Sequence, residues 1–183
     1  RFYNARRAQA REAHPNAAHH ALTRLILEGR AEVVLVTQNV DGLHEAAGSA
    51  PLHMHGALDG ALCAACGHRW PAPLVMTATD LCPACKAPAT RPDIVWFGEI
   101  PHHMDDIADH LADCTHFAAI GTSGQVYPAA GFVAQARAFG AETFEITRDP
   151  SPASAGFDHQ IPGLATEAVP AWVDLMLQDL GRK

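Results

Sequence analysis

The sequence predicts an α/β fold, a doubly wound parallel sheet with a small module inserted into it. Apolar segments typical of buried parallel strands alternate with helical segments along most of the chain. Between residues 59 and 90 this pattern gives way to paired cysteines and prolines with little periodicity. We therefore expect a sheet domain in two parts, 1–58 and 91–183, with residues 59–90 as the inserted module.

Helical and strand segments can be assigned one by one outside the module. Helices are predicted at 1–12, 16–30, 103–112 and 168–180, and a further helix is opened by the 121–132 segment and runs to about residue 139. Strands are predicted at 32–36, 93–97, 115–121 and 142–147. His14-Pro15 ends the first helix, because the residue before a proline is pushed out of the α region, and Asn16 can cap the second. Pro170 suits the first turn of the last helix.

The composition excludes several classes of protein. Of the 183 residues, 48% are apolar and 18% are charged, which fits a folded core and not disorder. The net charge of −7 argues against a nucleic-acid surface. No apolar run approaches the ~20 residues of a membrane span, and nothing resembles a secretory signal. The chain starts without Met inside a helical pattern, so we interpret residue 1 as a cut end.

Four of the five cysteines form two pairs, CAAC (63–66) and CPAC (82–85), separated by fifteen residues. This spacing is typical of a zinc ribbon, in which four thiolates complete a tetrahedral site and leave no position for water or substrate. The alternatives are ordinary cysteines or a redox CxxC, but a redox CxxC opens a helix, whereas these pairs lie in a Pro-rich loop. We expect one structural zinc ion on Cys63, Cys66, Cys82 and Cys85. So few cysteines in a chain of this length also favour a cytoplasmic protein over a secreted disulfide framework.

Two polar turns follow apolar strands. Gln38, Asn39 and Asp41 come after the strand at 32–36, and a glycine-rich turn with Gly121, Thr122 and Ser123 comes after the strand at 115–121. Small hydroxyls and backbone N–H groups before a helix suit a phosphate or a ribose. A tight turn without a ligand is the alternative. If both strands are parallel, the two turns share one sheet edge, which favours a nucleotide site.

The combined motifs resemble the sirtuin family of NAD-dependent protein-lysine deacylases. The matching segments are TQNVDGLHEAAGS (37–49), HMHGAL (53–58), the two CxxC pairs, VWFGE (95–99), GTSGQVYPAAGF (121–132) and the closing VP-helix. FYNARR (2–7) is most similar to the bacterial, CobB-like branch and its mitochondrial desuccinylase relatives. The resemblance implies a Rossmann-like domain carrying the zinc module.

The resemblance also implies roles for individual residues. The NAD-binding residues would be Gln38, Asn39, Val40, Asp41, Gly121, Thr122, Ser123, Thr147, Arg148, Asp149 and Ala165. His55 of the H-x-H-G motif would be the general base, because a neutral imidazole can accept a proton from a ribose hydroxyl. The alternative is a packed core histidine. His44 and His53 are expected to have structural roles.

Further residues are implied to bind the acyl-lysine substrate. VWFGE would hold the peptide as an added strand, with Val95, Phe97, Gly98 and Glu99 near the substrate, while Ile94 and Trp96 are also candidates for a core strand. Tyr3 and Arg6, three residues apart on one helical face, would recognise an acidic acyl group such as succinyl or malonyl.

The sequence departs from the family pattern in two respects. The N-terminal GAGIS segment, which wraps the NAD pyrophosphate in the family, is absent, and its loss would remove a central strand and most of the phosphate cradle. Thr147 stands where the family usually has an Asn near the adenosine ribose. We expect the chain without the N-terminal segment to be inactive or poorly folded.

Two other functions stay open from the sequence. One is a zinc-ribbon module that binds nucleic acid or a protein partner, against which the acidic net charge argues. The other is ADP-ribosyl transfer at the same NAD site. For the deacylase we expect acyl-lysine proteins or peptides as partners, no nucleic acid, no membrane and a monomer.

Overall fold

A computed structural model describes residues 1–77, 79–122, 124–150 and 152–180. The chain divides into two compact units, the first formed by Arg1–Pro15 and Leu35–Met104, and the second by Asn16–Val34 and Asp105–Lys183. Within the described ranges, no helix is long and apolar enough to cross a membrane.

The described residues form six α-helices and eight strands. The helices are α1 (Phe2–Glu12), α2 (Ala17–Glu28), α3 (Leu43–Ala46), α4 (Met104–Asp113), α5 (Phe132–Ala138) and α6 (Ala165–Leu180). The strands are β1 (Val36–Thr37), β2 (Leu52–His53), β3 (Gly56–Cys63), β4 (Arg69–Pro71), β5 (Thr90–Ile94), β6 (His116–Ile120), β7 (Glu142–Thr147) and β8 (His159–Pro162).

The first unit is built on an antiparallel sheet with strand order β4-β3-β5, beside a parallel pair β1-β2. Its buried side chains include Met54, Leu58, Cys63 and Ile94. Helix α1 packs on β3. Its residue Arg7 is buried there, and the Nε of Arg7 donates a hydrogen bond to the Leu58 carbonyl at 2.7 Å.

The second unit holds a parallel sheet with strand order β6-β7-β8, as expected for an α/β domain. Helices α2 and α6 pack against each other, with Leu22, Leu25 and Val173 buried. The predicted cap of α2 is confirmed, since the side chain of Asn16 accepts hydrogen bonds from the first-turn amides of Ala18 and His19. β7 covers the predicted range 142–147.

The strand predicted at 32–36 is wrong in extent. Only Val36–Thr37 forms a strand, paired in parallel with Leu52–His53, and Val34 is exposed by 37%. Residues 32–34 have no ladder partner within the described ranges, so their apolar character alone does not make a strand. β1 also lies in a different sheet from β6, so the expectation that both polar turns follow strands of one sheet is wrong for the strands described.

Three further segments end or begin elsewhere than predicted. The last helix begins at Ala165 and not at residue 168, so Pro170 lies inside it and not in its first turn. The strand predicted at 93–97 ends at Ile94, because the chain turns at Trp96–Glu99, where the Glu99 amide donates to the Trp96 carbonyl and Gly98 has a φ of 89°. Ile94 is a core residue as expected, but Trp96 is not, since it is 44% exposed. The helix predicted to open at the glycine-rich turn begins only at Phe132, after a short 3₁₀ turn at Ala129–Gly131.

Candidate active site and metal centre

The four predicted metal ligands of the first unit come together. The Sγ atoms of Cys63, Cys66, Cys82 and Cys85 all lie within 4.8 Å of one another, with separations of 3.6 Å for Cys63 and Cys85 and 3.8 Å for Cys66 and Cys82. A tetrahedral zinc ion with Zn–S bonds of about 2.3 Å requires sulfur atoms about 3.8 Å apart. The cluster therefore fits a zinc ion bound by four thiolates.

The two cysteine pairs are held in turns of the same form. The amide of Gly67 donates to the Cys63 carbonyl at 2.9 Å, and the amide of Lys86 donates to the Cys82 carbonyl at 3.0 Å. Each turn places its last residue in the left-handed region, with φ of 72° for Gly67 and 63° for Lys86. Because every ligand is a protein sulfur, a zinc ion here would be structural and would offer no position to a substrate.

The thiols of the cluster differ in acidity: the His68 amide lowers the pKa of Cys66, but hydrogen bonds with the other three thiols and burial outweigh this and raise it to about 12. Burial of Cys82 raises the pKa of its thiol, but the backbone amides of Cys85 and Ala84 outweigh this and hold the pKa at about 6. At neutral pH this cysteine is therefore a thiolate, the form that binds a metal ion.

His55 is held by the loop that follows β1. Its Nδ1 lies 3.0 Å from the carbonyl oxygen of Gln38. A carbonyl oxygen only accepts, so Nδ1 carries a proton, and the neutral imidazole then has its lone pair at Nε2. The half-buried imidazole therefore has the tautomer that a general base needs at Nε2.

The rest of that loop is fixed by its neighbours. Asp41 Oδ1 accepts from the Leu43 amide at 3.1 Å and so begins α3. The Asn39 carbonyl lies 3.1 Å from His53 Nδ1, and His53 Nε2 lies 2.7 Å from a carboxylate oxygen of Glu45. The structure thus gives His53 a positioning contact on the loop. Val40 and Asp41 line a cavity of about 280 Å³ in this unit.

Gly56 allows the H-x-H-G turn to approach β5 closely. It has a φ of 78°, and a Cβ at this position would lie 2.0 Å from the carbonyl oxygen of Asp93. Only glycine tolerates both conditions. The close contact fixes the backbone next to His55, whose own carbonyl accepts from the Val95 amide at 3.0 Å.

A second cavity, of about 450 Å³, lies in the second unit at the ends of β6 and β7. It is lined by six of the predicted NAD-binding residues, namely Gly121, Thr122, Thr147, Arg148, Asp149 and Ala165. The structure therefore brings these six positions together, although they come from three separate segments of the sequence. Ser123, predicted to act beside them, lies outside the described residues.

Glu145 is among the residues of this cavity that were not predicted from the sequence. Its side chain is 4% exposed and its Oε2 has no hydrogen-bond partner within the described part of the chain. A buried carboxylate oxygen without a partner costs free energy, so Glu145 is a candidate functional residue of this cavity. The sequence did hold a signal, an acidic residue between Phe144 and Ile146 in an apolar strand.

The predicted acyl-recognition residues lie on α1. Arg6 is exposed, and its guanidinium lies 5.5 Å from the centre of the Phe2 ring. Tyr3 is half-buried, and its phenol oxygen accepts a hydrogen bond from Trp96 Nε1 at 2.8 Å. Both predicted side chains thus lie on one helix, with only Tyr3 tied to the turn that follows β5.

That turn carries the predicted peptide-binding residues. Phe97 is fully exposed, and Gly98 takes the left-handed backbone conformation that the turn requires. The Val95 amide is already paired with His55, and the carboxylate of Glu99 is paired with Arg91 at 2.9 Å. Hydrogen bonds from Arg91 lower the pKa of Glu99. Val95 N–H and Glu99 therefore organise the turn, which leaves Phe97 as the side chain most open to a partner.

The fold and the two sites define a Rossmann-like α/β protein with a structural zinc module. The chain belongs to the Sir2 family, whose sequence model matches residues 1–128. The resemblance to sirtuins and the predicted fold class are confirmed.

Individual relatives are similar over almost the whole chain. An "NAD-dependent protein deacylase" of Caulobacter vibrioides is 50% identical over 98% of this chain and 77% of its own length. One of Leishmania major is 47% identical over 100% of this chain and 78% of its own length.

Solved structures of the family are similar as well. A complex of a mutant Sir2 homologue with ADP-ribose has a TM-score of 0.88 and 31% identity over 100% of this chain and 74% of that one. A Sir2 homologue in complex with NAD has a TM-score of 0.87 and 30% identity, over 98% and 71%. Sir2Af2 bound to a myristoylated histone peptide has a TM-score of 0.78 and 27% identity, over 100% and 81%.

Proposed function

We propose that this protein is an NAD-dependent protein-lysine deacylase. Relatives that carry this activity in their names are 50% and 47% identical to the chain, and solved relatives are complexes with ADP-ribose, NAD and an acylated histone peptide. The observation that carries the proposal is the His55 imidazole, held through Nδ1 by the Gln38 carbonyl with Nε2 left as a base. A zinc-ribbon binding module without catalysis would not need this arrangement.

In this proposal His55 accepts a proton at Nε2 from a hydroxyl of the nicotinamide ribose. NAD supplies the ADP-ribosyl group to which the acyl group is transferred. One water molecule is consumed, and the products are free lysine, nicotinamide and O-acyl-ADP-ribose. Gln38, Asn39 and Asp41 line the nicotinamide-ribose side of the reaction. Gln38 also holds His55 through its carbonyl. The same loop therefore binds the nicotinamide ribose and orients the general base.

The cavity of the second unit would hold the adenosine part of NAD. Its glycine-rich turn carries the Thr122 hydroxyl, and Thr147 offers a hydroxyl where the family usually has an amide. Glu145 places a buried carboxyl group in the wall of this cavity. A carboxylate in that position disfavours a phosphate on the adenosine ribose.

We further propose that acidic acyl groups are removed together with acetyl. Arg6 is exposed, so its guanidinium is available to a carboxylate, and Tyr3 can add a hydrogen bond from its phenol. A monomer in the cytoplasm, without a nucleic-acid or membrane partner, stays a prediction. ADP-ribosyl transfer is the competing reaction at the same site.

The experiment that tests the proposed function is the substitution His55→Ala. We expect it to abolish NAD-dependent deacetylation of an acetyl-lysine peptide and to leave zinc content and the circular dichroism spectrum unchanged. His20→Ala is the matched control, because His20 is exposed on α2. If His55→Ala kept most of its turnover, the base would be another residue and the proposal for His55 would be wrong.

A further inference from the structure

We infer that Trp96 is a positioning residue for acyl specificity, because its indole N–H fixes the Tyr3 phenol as a hydrogen-bond donor towards acidic acyl groups. The inference rests on the proposed deacylase function and on the role proposed there for Tyr3. It concerns a residue that was only a candidate for a core strand in the sequence, whereas the structure leaves 44% of it exposed.

Trp96 is held on its backbone and on one ring face. Its amide donates to Glu99 Oε2 at 2.9 Å, and the Arg91 guanidinium lies 4.1 Å from the centre of its ring. Arg91 and Glu99 are themselves paired through two contacts of 2.9 Å, the fork geometry in which both charges are satisfied. Arg91 and Glu99 therefore set the direction of an exposed indole.

That direction leads to Tyr3. Trp96 Nε1 lies 2.8 Å from the phenol oxygen of Tyr3, a contact between residues 93 positions apart in the sequence. An indole N–H can only donate, so the phenol oxygen must accept. The single hydroxyl hydrogen of Tyr3 is then directed away from the indole and is left to donate elsewhere, and the accepted hydrogen bond strengthens it as a donor.

This arrangement has a chemical consequence for the ligand. A terminal carboxylate, as in a succinyl or malonyl group, offers strong acceptors to a phenol O–H. The methyl group of an acetyl group offers none. Arg6 supplies a positive charge on α1, the helix that carries Tyr3. The negative charge of Glu99 is paired with Arg91. Trp96 should therefore affect the removal of acidic acyl groups far more than deacetylation.

The test compares Trp96→Phe with Trp70→Phe. Phenylalanine keeps an aromatic ring under Arg91 and removes only the N–H donor. Trp70 lies in β4 of the same unit and stacks on His68 at 5.6 Å, so Trp70→Phe removes an indole that does not touch Tyr3. Each variant is assayed with succinyl-lysine and acetyl-lysine forms of one peptide, alone and in a Tyr3→Phe background.

We expect Trp96→Phe to lower kcat/KM for the succinyl peptide about three- to ten-fold, the effect of one neutral hydrogen bond, and for the acetyl peptide less than two-fold. In the Tyr3→Phe background Trp96→Phe should have no further effect, because the partner is already gone. Equal losses on both peptides, or additive losses in the double variant, would overturn the inference. Trp70→Phe should leave both activities unchanged.

A measurement without turnover separates this inference from the proposed function. The indole ¹H–¹⁵N resonance that disappears in Trp96→Phe should shift in Tyr3→Phe, since its acceptor is removed. An unshifted resonance overturns the inference even in an active enzyme. Absence of deacetylation in the unsubstituted protein would instead contradict the proposed function.

Discussion

The substitution Arg6→Met tests the proposed acyl preference most sharply. Arg6 is exposed, and its described contacts are a hydrogen bond of 3.4 Å to Gln9 and the Phe2 ring at 5.5 Å. Exposed contacts of this kind stabilise a fold little, so the variant should fold normally. Methionine keeps an unbranched apolar side chain and removes only the guanidinium group of Arg6.

The expected loss follows from one charge-assisted hydrogen bond. Such a bond contributes about 1.5–3 kcal/mol, and 1.4 kcal/mol corresponds to a factor of ten, so kcat/KM for a succinyl peptide should fall roughly 10- to 100-fold. Deacetylation of the same peptide should change far less. The assay is steady-state kinetics on both peptides with saturating NAD.

The neighbouring residue provides the contrast. Arg7 is 3% exposed and donates to the carbonyls of Leu58 and Leu74, so Arg7→Met should impair folding and lower both activities together. If Arg6→Met also lowered both activities equally, Arg6 would serve structure, and the proposal of acidic acyl preference would be refuted.

Three further predictions concern stability. Cys82→Ser should remove the bound zinc, measured by metal analysis, and unfold the first unit instead of only slowing turnover; one zinc per chain retained would contradict the metal centre. Gly56→Ala should cost more than about 2 kcal/mol in urea unfolding and most of the activity, because a Cβ would lie 2.0 Å from the Asp93 carbonyl at a positive φ; a stable, active variant would refute the role of this contact. The hydroxyl and amide of Thr143 lower the pKa of Asp158, so its carboxylate stabilises the fold above the ordinary aspartate pKa of about 4, and this contribution is lost as the pH falls through the folded pKa. The melting temperature of Asp158→Asn should therefore differ from that of the unsubstituted protein most near pH 7 and least at pH 3, and a pH-independent difference would contradict this.

Local sequence signals predicted the parts of the structure that depend on local chemistry. Asn16 caps α2 because a short polar side chain reaches the first-turn amides, whatever the rest of the fold does. The cysteine spacing similarly predicted the sulfur cluster, since a C-x2-C turn brings two thiols together by itself. The strand β7 followed from its Thr, Phe and Ile residues, which favour strands.

Features that depend on partners distant in sequence were not predictable in this way. The apolar run at 32–36 becomes a strand only where Leu52–His53 pairs with it. Trp96 was expected in a strand, but hydrogen bonds of Glu99 turn the chain and leave the indole exposed. Glu145 gained significance only from the cavity around it, which three separate segments line.

The most direct test of the central claim is mass analysis of the products formed from an acetyl-lysine peptide and NAD. We expect the free-lysine peptide together with nicotinamide and O-acetyl-ADP-ribose in equal amounts, with none formed by His55→Ala. A peptide heavier by one ADP-ribosyl group would show transfer to the peptide instead. That product, or an unchanged peptide in the presence of NAD, would contradict the claim that the protein is an NAD-dependent deacylase.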